Sequence, residues 1–224
     1  MKITISKENY LKTIAEAESE GETVIAATLA RWLKVSAPAV TMAIRRLKRD
    51  DLIRVAGEGQ ITLTRSGRAI ANRLLTRHHL IERMLTEIFG MEWYKVHEEA
   101  EQLEHAVSAD FEYKLREKLG NGEACPHGNR IGLDTPNDRR RRGLKPLHEG
   151  EPDERLAVVS VFERDRRLLE HLEKLNVRPG TAMSITATNR DKLTVDVDGR
   201  SVQLERSVAE RVWVRPMTAS TSRR

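Results

Sequence analysis

Ile25-Ala26-Ala27-Thr28-Leu29-Ala30-Arg31-Trp32-Leu33, then Lys34-Val35-Ser36, then Ala37-Pro38-Ala39-Val40-Thr41-Met42-Ala43-Ile44-Arg45-Arg46-Leu47-Lys48-Arg49, is the stretch that decides the fold. Two helical patterns separated only by Lys34, Val35 and Ser36 have the spacing of a helix-turn-helix. Pro38 suits a first helical turn, where its missing N–H costs nothing, and Val40, Ile44 and Leu47 line one face of a helix expected over roughly 37–49. Upstream, Tyr10, Leu11, Ile14 and Ala17 recur at helical spacing, with Ser6 as the expected N-cap and Gly21-Glu22 as the stop. Downstream, Leu52-Ile53-Arg54-Val55, the turn Gly57-Glu58-Gly59, and Gln60-Ile61-Thr62-Leu63-Thr64 read as a hairpin. A helix-turn-helix running directly into a hairpin is a winged helix, whose third helix enters the major groove of DNA while the hairpin flanks the phosphates.

Outward from this module the chain changes character three times. Residues 66–120 are helical: a long helix to about Phe89, a break at Gly90, and further helices over about Trp93–Ser108 and Asp110–Leu119. Met84, Leu85, Ile88, Phe89, Met91 and Trp93 make more apolar surface than a small helical layer buries, which points to a homodimer interface. Gly120-Asn121-Gly122, Pro126, Pro136, Pro146, Pro152 and the run Arg139–Arg142 read as a linker with a solvated charge run. From Leu156 onward, short apolar runs around Val158–Phe162, Met183–Ile185, Leu193–Val197, Val202–Leu204 and Val212–Val214 predict a small β-barrel, with a helix over Leu168–Leu175. The expected fold class is therefore mainly α with a small β component. Its divisions are a winged helix over 1–70, a helical domain over 71–133, a linker over 134–153, an SH3-like barrel over 154–216 and a disordered tail over 217–224.

Composition narrows the setting. The 224 residues carry a net charge of +5, and this basic balance favours an anionic partner only weakly. The single cysteine, Cys125, excludes an internal disulfide and fits a reducing cytosol. No apolar run approaches the ~20 residues of a membrane helix, and the first helical pattern starts too early for a signal peptide, so a cytoplasmic protein without a membrane partner is expected.

The chemistry concentrates in the helical segment. His97, Glu101, Glu104 and His105 stand at i, i+4, i+7 and i+8, so a helix projects all four from one face. His78 and Glu82 stand four apart on the preceding helix. An isolated pair of this kind is usually a solvated face. Histidines and glutamates in register on two adjacent helices, however, can surround a metal ion as helical bundles do. Imidazole plus carboxylate suits manganese, ferrous iron, zinc or nickel. The sequence at His97, His-Glu-Glu-Ala-Glu, lacks the HExxH peptidase pattern, and no nucleophile or base constellation accompanies it, so no enzyme is indicated.

Together these residues resemble the diphtheria-toxin-repressor family of metal-dependent regulators, in its manganese-responsive branch. The resemblance begins at Glu8-Asn9-Tyr10-Leu11-Lys12-Thr13-Ile14. It is strongest over Arg77-His78-His79-Leu80-Ile81-Glu82-Arg83 and Val96-His97-Glu98-Glu99-Ala100-Glu101-Gln102-Leu103-Glu104-His105, and continues through Cys125-Pro126-His127-Gly128-Asn129. The C-terminal unit is similar to the SH3-like (FeoA-like) domain of longer members. The resemblance implies a primary metal site of Glu101, Glu104 and His105 with a ligand from the first helix, at Asn9, where relatives carry aspartate or methionine. Glu8 is the alternative there. Lys12 falls where some two-metal relatives have a second acid. An ancillary site is implied at Glu82 and His97, with Cys125, His127 and Asp165; His78 belongs to one site or the other. On the residues alone, Cys125 and His127 would be turn residues of the linker.

Glutamate at 101, where iron-responsive relatives tend to have cysteine, implies Mn2+ as cofactor, with Fe2+ as the alternative. The partner implied is a double-stranded DNA operator, and the activity is repression of manganese-uptake genes. By the resemblance, Ser36, Ala37, Pro38, Ala39, Thr41 and Met42 face the groove. Arg31, Arg45, Arg46 and Lys48 are candidates for phosphate contact. Competing readings are an iron-responsive repressor of the same architecture, a metallohydrolase fused to a winged helix, and a winged helix that senses an organic ligand.

Overall fold

The first helix starts earlier than its sequence suggests. Thr4 Oγ1 accepts from Lys7 N and caps α1 (Ile5–Ser19), so Ser6 lies inside the first turn and is not the cap. The computed structural model describes residues 3–120 and 122–217. The second helix, α2 (Ala26–Leu33), ends at Lys34, whose left-handed backbone (φ 54°) turns the chain; Ser36 then caps α3 (Ala37–Arg49) through Ala39 N. Val40 and Leu47 join Leu11, Ile14, Leu29, Ile53 and Ile61 in one core. Each such fully buried aliphatic side chain contributes about 1.5–3 kcal/mol. Strand β1 (Ile53–Val55) pairs antiparallel with β2 (Ile61–Leu63), Ile53 opposite Leu63, to form the wing. The long helix α4 (Arg65–Glu87) packs close to this wing: a Cβ on Gly67 would overlap the Leu52 carbonyl.

Beyond α4 the helices are shorter than the sequence pattern. Gly90, at φ 65°, follows the break. Helix α5 covers only Val96–Leu103, although Glu104 N still donates to Ala100 O at 2.9 Å, and Ser108 caps a separate α6 (Ala109–Leu119). By compactness the chain divides into two units. One comprises the residues up to Met84 with Ala100–Glu123 and Arg130–Pro136; the other comprises Leu85–Glu99, Ala124–Asn129 and the chain from Asn137 onward.

The second unit is built on one antiparallel sheet of order β3-β8-β4-β5-β6-β7. Its strands are β3 (Lys145–Pro146), β4 (Arg155–Val161), β5 (Ala182–Thr188), β6 (Lys192–Val197), β7 (Arg200–Glu205) and β8 (Val212–Pro216). Helix α8 (Arg166–Lys174) lies between β4 and β5 in sequence, and the one-turn α9 (Arg206–Ala209) follows β7. Trp93, Leu156, Leu169, Leu172, Val195 and Leu204 share its core.

Two sequence expectations are corrected here. The segment 134–153 is not a linker: it holds α7 (Pro136–Arg141), the strand β3 paired with β8, and a one-turn helix at Leu147–Glu149. The arginine run is not uniformly solvated either. Arg139 is buried with its guanidinium 5.1 Å from the Trp213 ring centre, and Arg140 clamps Glu149 with two hydrogen bonds, while Arg141 and Arg142 are exposed. Aromatic stacking lets a guanidinium take a core position that charge counting alone would deny it. Of the expected tail, Met217 extends the pairing through its N–H to Arg155 O, and residues 218–224 lie outside the described residues. Among the described residues no helix is long and apolar enough to cross a membrane.

Candidate metal centre

In the first unit the middle of α1 is buried all round, including Lys12 and Glu16, so its polar side chains must find partners inside. They meet the end of α5. His105 Nδ1 lies 3.0 Å from Glu8 Oε2, and His105 Nε2 lies 2.6 Å from Asn9 Oδ1 and 3.5 Å from Glu104 Oε1. A carboxylate on one ring nitrogen fixes the proton there, as outer carboxylates do for metal-binding imidazoles. With the proton assigned to Nδ1 by this partner, the Nε2 lone pair converges with the Asn9 amide oxygen and Glu104 Oε1. Separations of 2.6 and 3.5 Å bracket the ~3 Å between adjacent ligands of an ion bound at about 2.1 Å. The donors are oxygen and imidazole, which suits a hard or borderline divalent ion. Glu8 and Asn9 thus face opposite ring nitrogens of His105.

The other oxygen of Glu104 faces elsewhere. Oε2 is 2.7 Å from His78 Nδ1 and 2.7 Å from Lys12 Nζ, and His78 Nε2 is 3.0 Å from Glu82 Oε1. Burial pushes the Glu104 carboxyl up, but His78 and the Lys12 ammonium outweigh it and hold the group below the usual carboxylate range. Burial likewise opposes the charge on Lys12, yet Glu16, Glu104 and Glu101 hold its ammonium above the ordinary lysine value. Glu101 Oε1 stands 3.9 Å from Lys12 Nζ with its side chain 41% exposed. Arg77 braces the ligand turn from α4: it donates to the Glu104 carbonyl and to Glu112 on α6.

The second unit gathers a different set. Glu163 Oε2 lies 3.5 Å from Cys125 Sγ and 3.6 Å from His127 Nδ1; Cys125 Sγ lies 3.7 Å from His127 Nδ1; and Glu163 Oε1 lies 3.8 Å from His97 Nδ1. The edges of a tetrahedron around an ion with ligand bonds of 2.0–2.3 Å are roughly 3.6 Å, which the separations among Cys125 Sγ, His127 Nδ1 and Glu163 Oε2 match. His127 Nε2 faces the Trp93 carbonyl at 2.8 Å, an acceptor that takes the ring proton and turns Nδ1 toward the cluster. Asn129 donates to Glu163 at 2.6 Å and to the Val161 carbonyl, holding the carboxylate in place.

Asp165, the acid expected here, is elsewhere. It caps α8 through Leu168 N and pairs with Arg211 on the surface. Glu163 occupies that place because it closely follows β4, two residues after Val161, whose N–H donates to the His127 carbonyl and so ties the cysteine loop to that strand. The sequence held one usable signal for Glu163: an acid immediately past an apolar strand.

Three family descriptions divide the chain between them: an iron-dependent-repressor N-terminal DNA-binding domain over residues 2–60, an iron-dependent-repressor metal-binding and dimerisation domain over 64–132, and a FeoA domain over 145–216. The iron-dependent repressor IdeR of Mycobacterium tuberculosis strain H37Rv is 34% identical, over 92% of this chain and 95% of its own length. The chain belongs to the diphtheria toxin repressor family. The diphtheria toxin repressor of Corynebacterium diphtheriae is 31% identical over 92% of this chain and 95% of its own. Among solved structures, a manganese-dependent transcriptional repressor in complex with manganese matches with a TM-score of 0.85 at 29% identity, covering 94% of this chain and 100% of that one. The manganese regulator SloR matches at 0.80 and 27%, covering 96% and 100%. This protein is thus a metal-dependent DNA-binding transcriptional repressor with a divalent-metal-binding, dimerising helical domain and a C-terminal FeoA domain; the family is one of regulators, not enzymes.

In the repressor's DNA-binding domain, Ala37, Pro38, Ala39, Thr41, Met42, Arg45, Arg46 and Lys48 are all exposed along α3. Ser36 and Thr41 are partly engaged, the first as cap and the second donating to the Ala37 carbonyl. Arg31 is exposed and pairs with Glu22. Arg49, which the sequence reading passed over, is also exposed and extends the basic edge. The apolar set expected at a dimer interface separates: Ile88 and Phe89 are exposed, but Leu85 and Trp93 are buried, and Trp93 belongs to the core under the FeoA sheet. Phe111 and Tyr113 on α6 are exposed aromatic residues that the periodicity did not single out.

Proposed function

We propose that this repressor is activated by manganese and, as a metal-loaded homodimer in the cytoplasm, represses manganese-uptake genes. The observation that carries the reading is the separation of donor types. The cluster between α1 and the end of α5 offers carboxylates, an amide oxygen and imidazole, whereas the chain's one cysteine belongs to the Glu163 cluster. A thiolate-free set is the harder site and favours manganese over ions that prefer sulfur. The regulatory ligands are Asn9, Glu101, Glu104 and His105, with Glu8 orienting His105. Cys125, His127, Glu163 and His97 form an ancillary site, and His78 and Glu82 buttress Glu104. Ser36 to Met42 read the major groove, and Arg31, Arg45, Arg46 and Lys48 contact phosphates.

The regulatory logic follows from placement. Asn9 lies on α1, within the DNA-binding module, and Glu104 and His105 lie at the end of α5, so a shared ion ties the two. In a dimer this fixes the distance between the recognition helices, which must match the half-site spacing. Metal and operator then strengthen each other's binding by the same free energy. The test is operator binding by chelator-stripped protein titrated with Mn2+ and, anaerobically, Fe2+. Activation at lower free manganese supports the reading. Activation at lower free iron replaces it with an iron repressor, the activity named for the relative IdeR. Operator binding indifferent to both metals in Glu104→Ala and His105→Ala, but manganese-dependent in the parent, is the expected result for the ligand assignment.

A further inference from the structure

Asn129 is a buried amide engaged at both ends. Its Nδ2 donates to Glu163 Oε2 at 2.6 Å and to the Val161 carbonyl at 3.2 Å, which uses both of its hydrogens. Its Oδ1 accepts from Arg139 Nη2 at 3.5 Å. A guanidinium has donors and no acceptor, so only the oxygen end of the amide can face it. Arg139 is itself 3% exposed and is held by its stack on Trp213, 5.1 Å from the ring centre. The register of the sheet explains the meeting: Trp213 on β8 stands opposite Ser160 on β4, near the end of the strand that delivers Glu163. Guanidinium, amide and carboxylate form one directed chain, cation to oxygen and N–H to anion, in which each bond polarises the next.

We propose that Arg139 is a positioning residue of the Cys125–His127–Glu163 cluster, acting through Asn129 to keep the Glu163 carboxylate turned toward the ion that the cluster would hold. The inference rests on the reading of that cluster as a metal site. Asn129 can serve Glu163 only while its own oxygen is satisfied inside the protein. Without the Arg139 donor the buried oxygen is drawn toward water, a rotation that takes Nδ2 off Glu163. Lysine is no replacement, because a point ammonium cannot stack flat on the indole and reach the amide at once. The first arginine of the run Arg139–Arg142 thereby serves a metal ligand.

The test is cobalt titration of the chelator-stripped full chain, followed by its thiolate-to-cobalt band. Cys125 is the chain's one cysteine, so the band reads this cluster alone. Arg139→Met is expected to keep the band but to need about tenfold more free cobalt to reach half its height, within the range for outer partners of metal ligands. Asn129→Ala is expected to lose at least as much. In that background Arg139→Met is expected to cost nothing further, since residues that act as one unit are not additive. Full additivity would show that Arg139 does not act through Asn129 and would overturn the proposal, as would a wild-type titration in Arg139→Met. If Arg139→Met does not fold, Arg139→Lys decides: cobalt binding about three- to tenfold weaker is expected, and wild-type binding overturns the proposal. A wrongly assigned cluster looks different, because wild type itself would then show no thiolate band, and the proposal falls with it.

Discussion

Replacing Gly128 by alanine should dismantle the Cys125–His127–Glu163 cluster without altering any of its donors. Gly128 has φ 80°, and its hydrogens face β4: an added Cβ would overlap the Val159 carbonyl oxygen and lie 2.9 Å from Ser160 Cα. The left-handed conformation costs an alanine about 1–2 kcal/mol. The clash adds an overpacking penalty of about 1–3 kcal/mol, because its partner is strand backbone rather than a flexible side-chain end. The loop has little freedom to absorb it. Gly128 N donates to Cys125 O, Cys125 N to Asn129 O, and Val161 N to His127 O, all at 2.9–3.0 Å. A combined cost of about 2–5 kcal/mol corresponds to a fall of roughly 10–25 °C in melting temperature for a unit of about a hundred residues. A shift of about an ångström in the loop also spoils a site whose donors must converge to within a few tenths. The assay is cobalt substitution: a thiolate-to-cobalt charge-transfer band should appear in wild type and be lost in Gly128→Ala, while Cys125→Ser loses the band without the large drop in melting. A Gly128→Ala protein with the wild-type band and melting temperature would refute the argument.

Glu163→Gln should weaken metal binding at that cluster by about 10–100-fold or more, whereas Asp165→Asn, which keeps an N-cap oxygen, should leave both affinity and stability near wild type; calorimetric metal titration of the pair separates the two acids. Burial pushes the Glu112 carboxyl up, but Arg116 and Arg77 pull it net below the ordinary glutamate range. Its contribution is therefore fully present above the ordinary glutamate pKa and lost as pH falls through the lower folded value. Glu112→Gln should remove part of that acid-side loss, about 1 kcal/mol after solvent screening, in urea unfolding followed across pH 3–6. Lys48→Ala should weaken operator binding evenly across sequences and reduce the salt dependence by about one counterion, measured by fluorescence anisotropy at several salt concentrations.

Much of the site was legible as a periodicity. His78 and Glu82, or Glu101, Glu104 and His105, announce themselves because helical spacing stacks donors on one face, and the α1 contribution at Asn9 came through resemblance to relatives. The helix itself was over-extended. The i+7 and i+8 positions need only one bond beyond Leu103, from Glu104 N to Ala100 O, and the chain then turns so that Ser108 can cap α6. Glu163 and Asp165 show the opposite case. Both are acids just ahead of α8, and the strand that precedes Glu163 was the one sequence signal between them; the choice itself depends on which one β4 delivers beside the cysteine loop and which one the helix N-terminus claims as its cap.

The amino-acid sequence by itself determined the winged helix and the β-rich C-terminal unit. These depend on local spacing: apolar residues at helical or alternating intervals, a short turn before Ser36, and glycines at the wing. Only the tertiary structure decided that Arg139 is buried on Trp213, that Glu8 orients His105 while Asn9 faces its other nitrogen, and that Lys12 fills one side of Glu104. The physical reason is common to the three. A charge withdrawn from water needs a partner, and where that partner is distant in sequence no local pattern records where it will be.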